Sequence, residues 1–340
     1  MAGEVMRSEI AEIPAVFERI LERFSDVEKA MKPIINGDIR NVLILARGTS
    51  DNAAHFLKYL IETQCGLPVG LTSPSSVTVY NAQLHFAGTL VVALSQSGQS
   101  PDLVAYAQAA KRAGAHLISM TNDENSPLAR VADSHLSLSA GPEIAVAASK
   151  SYAAELLLSY LFVCAWTGRD HGADLLPDSV REILAVNLSS AIDSLDLDKE
   201  IVILGRGFSY PNAREAALKI QETCKVSVQG LSTADYLHGP ISALTPDTQV
   251  IFMVPFHLPI HSMADAVSRI RAGGCRILWC GTGGEANSDE ITLGGSKIAN
   301  EILASIADAA LLQRCALELC VKNGLDPDNP KGLTKVTLTR

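Results

Sequence analysis

Short runs of branched and small apolar residues alternate along this chain with longer stretches whose apolar positions recur every three or four residues. The runs, such as "VLILA" from Val42 and "LVVAL" from Leu90, suit central strands of a parallel sheet covered on both faces. In the first half the pattern predicts strands near 41–46, 89–94, 115–120 and 134–138, with helices near 50–64, 101–113 and 149–166. In the second half it predicts strands near 200–204, 249–254 and 276–280, with helices near 211–224, 259–272 and 299–322. Such alternation argues for parallel βαβ units. Ahead of the first strand, "EIPAVFERILERF" reads as one amphipathic helix.

The pattern also repeats. "VLILARGTS" at Val42 to Ser50 returns as "IVILGRGFS" at Ile201 to Ser209, so that Arg47, Gly48 and Ser50 fall onto Arg206, Gly207 and Ser209. The expected fold class is therefore α/β, with two tandem doubly wound parallel-sheet domains. Residues 1–40 form a helical lead-in, 41–170 a first domain and 171–195 a connection that contains a helix near 179–194. Residues 196–324 form a second domain. Residues 325–340, rich in Pro and Gly, form an extended strap.

Composition narrows the function classes. The chain has 340 residues, 47% hydrophobic and 19% charged, with a net charge of -9 and no basic stripe. That argues against nucleic acid as a partner. The first residues carry charges early and lack an apolar core segment, unlike a signal peptide, so a cytoplasmic location is expected. Leu156 to Trp166 is too short to span a bilayer and reads as a buried helix. Seven scattered cysteines, without a C-x-x-C, suit neither a disulfide framework nor a zinc knuckle. They are expected to be reduced core residues.

Candidate chemistry sits in the loops. After the strand ending at Leu94 comes "SQSGQS", and Pro101 opens a helix. Ligands of open parallel sheets lie beyond the C-terminal strand ends. Hydroxyls and free amides at a helix start suit a phosphate, and an ordinary capped Ser/Gly turn fits equally well. A serine nucleophile has less support, because G-x-S-x-G is absent. Neither a Walker A loop nor a G-x-G-x-x-G fingerprint is present. On the helix "REAALKIQETCKV", Lys219 and Glu222 share a face at i and i+3, which by itself is most often a surface ion pair. His238 precedes a rigid Gly-Pro turn, and Lys335 lies in the strap.

Six motifs in order over most of the chain, "ARGTS", "LSQSGQS", "EIAVAASK", "GRGFSYPNAREAALKIQE", "LHGP" and "DPDNPKGLTKVT", resemble the double sugar-isomerase (SIS) domain family, which includes the isomerase half of glucosamine-6-phosphate synthase. The resemblance implies two flavodoxin-like sheets and a hexose or hexosamine 6-phosphate substrate. By this resemblance Ser95, Gln96, Ser97 and Ser100 hold the phosphate, while Thr49, Ser50, Val146, Ala148 and Thr334 stand near the sugar. Glu222 matches the base acting between C1 and C2, and His238 the ring-opening residue contributed across a homodimer interface. Lys335 matches the Schiff-base lysine, and Lys219 a second active-site lysine. No cofactor or metal is implied, and no membrane. Against the family pattern, Ala148 stands in place of a serine, Leu237 of a lysine and Gln229 of a glutamate.

A glutaminase domain like that of the synthase is not expected, with only about 40 residues before the first strand. The leading expectation is thus conversion of glucosamine 6-phosphate to fructose 6-phosphate and ammonia. Alternatives on the same scaffold are aminotransfer, keto–aldo isomerisation, deamination of galactosamine 6-phosphate and fructosamine-phosphate deglycation. A non-catalytic phosphosugar sensor is the alternative of another class.

Overall fold

The three N-terminal helices show how local chemistry sets the boundaries. In a computed structural model, which describes residues 2–258, 260–330 and 332–335, the helix expected in "EIPAVFERILERF" is α2 (Ile13–Glu22), and it is flanked by α1 (Glu4–Ala11) and α3 (Phe24–Ile35). Pro14, the second residue of α2, lacks the N–H that a continuous helix would need there.

By their contacts the residues fall into two units. The first comprises residues 15–143, 150–172 and 334–335; the second comprises 2–14, 144–149 and 173–333. The first holds β1 (Asn41–Leu45), α4 (Gly48–Gln64), β2 (Val69–Leu71), α5 (Ser75–Thr78) and β3 (Thr89–Leu94). It continues with α6 (Pro101–Arg112), β4 (His116–Thr121), α7 (Pro127–Val131), β5 (Ser134–Ser137) and α8 (Lys150–Thr167). Its sheet is parallel in the order β2-β1-β3-β4-β5, with Val42 opposite both Val69 and Leu90. All six residues of β3 are buried, as a central strand with covered faces requires. Leu45, Val91, Ala93 and Leu117 pack against Leu103, Tyr106, Ala107 and Ala110 of α6. In α8 every residue from Lys150 to Ala165 is buried, the environment that a helix apolar on all sides demands. Among the described residues, no helix is long and apolar enough to cross a membrane.

The second unit holds α9 (Leu176–Leu184), α10 (Ser189–Ser194), β6 (Ile201–Gly205), α11 (Tyr210–Cys224), β7 (Val228–Ser232) and α12 (Thr233–Leu237). After these come β8 (Gln249–Met253), α13 (Ala264–Ala272), β9 (Arg276–Cys280), β10 (Ile291–Gly294) and α14 (Glu301–Lys322). Its order, β10-β9-β8-β6-β7, repeats that of the first sheet. Both are therefore flavodoxin-like doubly wound sheets. Phe252 and Trp279 stack at 4.9 Å in a core that includes Val202, Val250, Val267 and Ile270. The helix expected at 179–194 is two helices, because Asn187 Oδ1 accepts from the Ser189 N–H at 2.9 Å and turns the chain. All seven cysteines are free, and Cys65 and Cys275 are half-buried rather than in the core.

Asp308 lies inside α14 with 1% exposure. Its Oδ1 accepts from the Ser296 N–H at 2.6 Å, and its Oδ2 has no partner among the described residues. Burial pushes this carboxyl up to about 7. The folded protein then holds a proton that the unfolded chain releases near the ordinary value of 3.8. Stability from this group is present in full below about pH 4 and is lost as pH rises through about 7. Melting curves at pH 5 and pH 8 test this. The melting temperature of Asp308→Asn relative to wild type should rise between the two, and a pH-independent difference would refute it.

Candidate functional site

In the first unit β1 and β3 are neighbours, and their C-terminal ends form the switch point of the sheet. The Ser95–Ser100 loop leaves β3 there. Ser95 is buried, its Oγ accepts from the Gly98 N–H at 3.1 Å, and Ser97 Oγ accepts from the Gln99 N–H at 3.3 Å. Both hydroxyls are oriented by accepting, which leaves their protons to donate. The Asn122 N–H holds the Gln96 carbonyl at 3.0 Å. Gly98 has φ 61°, and a Cβ there would fall 2.3 Å from Ser126 Oγ, so only glycine closes this loop without strain. Ser100 occupies the N-cap of α6 but its hydroxyl makes no cap bond, and Pro101 follows. In this first turn the Leu103 N–H is taken by Asp102 Oδ1 at 2.9 Å and the Val104 N–H by the Ser100 carbonyl at 3.1 Å.

Thr49 and Ser50 lie in the first turn of α4. Ser50 is buried, and its Oγ donates to Glu155 Oε1 at 2.7 Å. With that proton committed, Ser50 Oγ can meet a sugar hydroxyl only as an acceptor. Lys335 Nζ donates to Glu143 Oε2 at 2.9 Å, with side-chain exposures of 24% and 0%. Glu143 also accepts from the N–H and Oγ of Ser151, at 3.0 and 2.7 Å, and so anchors the start of α8. Thr334 beside the lysine is exposed.

In the second unit α11 lies directly on β7. A Cβ at Gly230 would fall 2.5 Å from the Ala213 carbonyl, so the backbones touch only because glycine is there. On this helix Lys219 Nζ lies 2.5 Å from Glu222 Oε2 and 3.4 Å from Glu215 Oε1. Lys219 and Glu215 are 1% and 2% exposed, and Glu222 is 22% exposed. The pair read from the sequence is therefore a buried ionic triad with one open carboxylate, not a surface pair. His238 caps α12 and is exposed. Among the described residues no hydrogen bond or ion pair joins it to Glu222 or Lys219.

Val146 and Ala148 are half-buried in the segment 144–149. Glu9 accepts from the N–H groups of Ile144 and Ala145, and Gln313 Nε2 donates to the Ser149 carbonyl at 2.8 Å. Two residues were missed from the sequence. Glu215 had a signal, four positions before Lys219 on the same face. Glu143 had none, since Lys335 is 192 positions away. Among the described residues no group of three or more His, Cys, Asp or Glu is placed to hold a metal.

Residues 38–165 match the SIS domain family. Glutamine–fructose-6-phosphate aminotransferase (isomerizing) of Pyrococcus horikoshii is 29% identical over 98% of this chain, and the chain spans 61% of that relative's length. A candidate phosphosugar isomerase from Silicibacter pomeroyi DSS-3 superimposes with a TM-score of 0.89 at 29% identity, covering 96% of this chain and 100% of the other. The C-terminal domain of glucosamine-fructose-6-phosphate aminotransferase from Francisella tularensis has the same fold, with a TM-score of 0.83 at 24% identity over 96% and 98% of the two chains.

Proposed function

Because residues 38–165 are a SIS domain and the chain as a whole resembles the isomerase part of the fructose-6-phosphate aminotransferases, we propose that it is a phosphosugar isomerase acting on a hexosamine 6-phosphate. The reaction is hydrolytic deamination. Glucosamine 6-phosphate and water give fructose 6-phosphate and ammonia. His238, contributed by the partner subunit of a homodimer, transfers the protons of ring opening. Glu222 takes the proton from C2 and returns it to C1. The shift leaves an imine at C2, from which the Lys335 amine displaces ammonia to form its own Schiff base, and water hydrolyses that Schiff base to release fructose 6-phosphate. The Ser95–Ser100 loop holds the 6-phosphate and so anchors the sugar.

The observation that supports this reading most is the triad on α11. Burying Lys219 and Glu215 costs solvation that a well-packed apolar pair would not, and the arrangement leaves the Glu222 carboxylate accessible beside a fixed cation. A base that must repeatedly gain and lose a proton needs that access.

A panel of hexosamine and fructosamine 6-phosphates, with ammonia and ketose measured separately, tests the reaction. Ammonia and fructose 6-phosphate should appear in equal amounts from glucosamine 6-phosphate. Borohydride added with fructose 6-phosphate should leave a covalent adduct on Lys335. Tight binding with neither adduct nor turnover would replace the enzyme with a phosphosugar sensor.

A further inference from the structure

The Arg-Gly turn occurs in both units with nearly the same backbone. Arg47 (φ −145°, ψ 154°) precedes Gly48 at φ 57°, and Arg206 (φ −142°, ψ 146°) precedes Gly207 at φ 55°. The two turns are filled differently. In the second unit the N–H of Phe208, next in the turn, bonds the half-buried carboxyl of Glu301. That turn accepts an acidic group of the protein's own. No serine loop follows β8, where the chain reads Val254-Pro255-Phe256. Arg206 makes no ion pair among the described residues.

In the first unit, Arg47 Nε donates to Asp102 Oδ2 at 3.0 Å. Asp102 is only 4% exposed and lies two residues after Ser100, in the first turn of α6. The arginine side chain is 48% exposed. Its two Nη groups make no hydrogen bond among the described residues. A buried carboxylate thus fixes one edge of the guanidinium beside the helix start that carries the serine loop, and the other edge is open.

We propose that Arg47 is a specificity-determining residue for the phosphate, held in place by Asp102. The inference rests on the reading that the Ser95–Ser100 loop takes the 6-phosphate. The loop offers neutral hydroxyls and amides, whereas a phosphate monoester carries close to two negative charges at neutral pH. The planar guanidinium adds a full charge and a two-pronged donor edge that matches two phosphate oxygens. Arg47 therefore selects phosphate esters over neutral sugars and over monoanionic sulfate esters. Asp102 is the positioning residue, and its effect passes through Arg47.

Sorbitol 6-phosphate is the probe, since it lacks a carbonyl and its binding is independent of imine chemistry. Calorimetric titration should show Arg47→Gln weakening its binding by about 10-fold or more, with Arg47→Lys recovering part of the loss. Asp102→Asn should weaken binding in the wild-type background and add nothing to Arg47→Gln; a purely structural role would make the two losses additive. In the wild type, phenylglyoxal should modify Arg47, and saturating sorbitol 6-phosphate should protect it. Binding by Arg47→Gln within about twofold of wild type, or labelling of Arg47 unchanged at saturation, overturns the proposal and leaves the phosphate loop standing. A wild type that fails to bind sorbitol 6-phosphate overturns the phosphate loop and the proposal together.

Discussion

Glu222→Gln should lose between ~10²- and ~10⁴-fold in ammonia release, the range for removing a general base, while its affinity for sorbitol 6-phosphate stays at the wild-type value. The substitution keeps the shape of the side chain. The amide oxygen of glutamine can still accept from Lys219 Nζ, now 2.5 Å from the carboxylate. Lys219 also keeps Glu215 at 3.4 Å, so its charge remains compensated and the fold should hold. What disappears is an oxygen that can take a proton from carbon. Ketose and ammonia assays run beside calorimetry separate the two effects. A variant that turns over at more than a tenth of the wild-type rate would remove Glu222 from the role of base, because residual activity of that size is outside the expected range.

Lys219→Met should instead be a stability variant as well as an inactive one. Methionine fills the space of the lysine stem but deletes the charge between two carboxylates. Glu215, at 2% exposure, would then sit in the interior without Lys219. Breaking a buried pair in this way costs about 3–5 kcal/mol, which for a unit of this size lowers the melting temperature on the order of 10 °C. The double variant Lys219→Met/Glu215→Leu should recover most of the loss, since apolar replacement of a whole buried pair is often neutral or stabilising. Activity should not return with it. A single variant melting within about 1 °C of wild type would mean that the charge is not compensated by Lys219 at all.

Parts of this molecule were legible in the sequence because one-dimensional pattern and three-dimensional role coincide there. The branched runs at 41–45, 89–94 and 201–205 are strands because both faces are covered, and nothing but burial is needed to read them. The serine loop and the Lys219–Glu222 spacing are local for the same reason. Of the four edge strands only β5 was legible, as the run near 134–138, while β2, β7 and β10 were not. Val69–Leu71 is three residues long, and "VQGLS" at Val228–Ser232 contains Gln, Gly and Ser; at an edge the ladder bonds are made by the backbone and leave the side chains unconstrained. The Glu143–Lys335 pair and the Ser50–Glu155 hydrogen bond join distant positions, so no spacing rule announces them. Thr334 and Lys335 are described as far as this pair, and the rest of the strap, 336–340, lies outside the described residues.

The way the chain is divided between the two units also governs how it is made. Residues 144–149 belong to the second unit although 143 and 150 belong to the first, and residues 334–335 return to the first after 173–333 have built the second. Neither unit is a continuous piece of polypeptide. During synthesis the first sheet can form early, but Glu143 waits, without Lys335, until almost two hundred further residues have left the ribosome. The lysine proposed to carry the covalent step is thus the last described part of the first unit to arrive, and a nascent chain arrested after 173 and before 334 would hold the proposed phosphate loop with no amine to follow it.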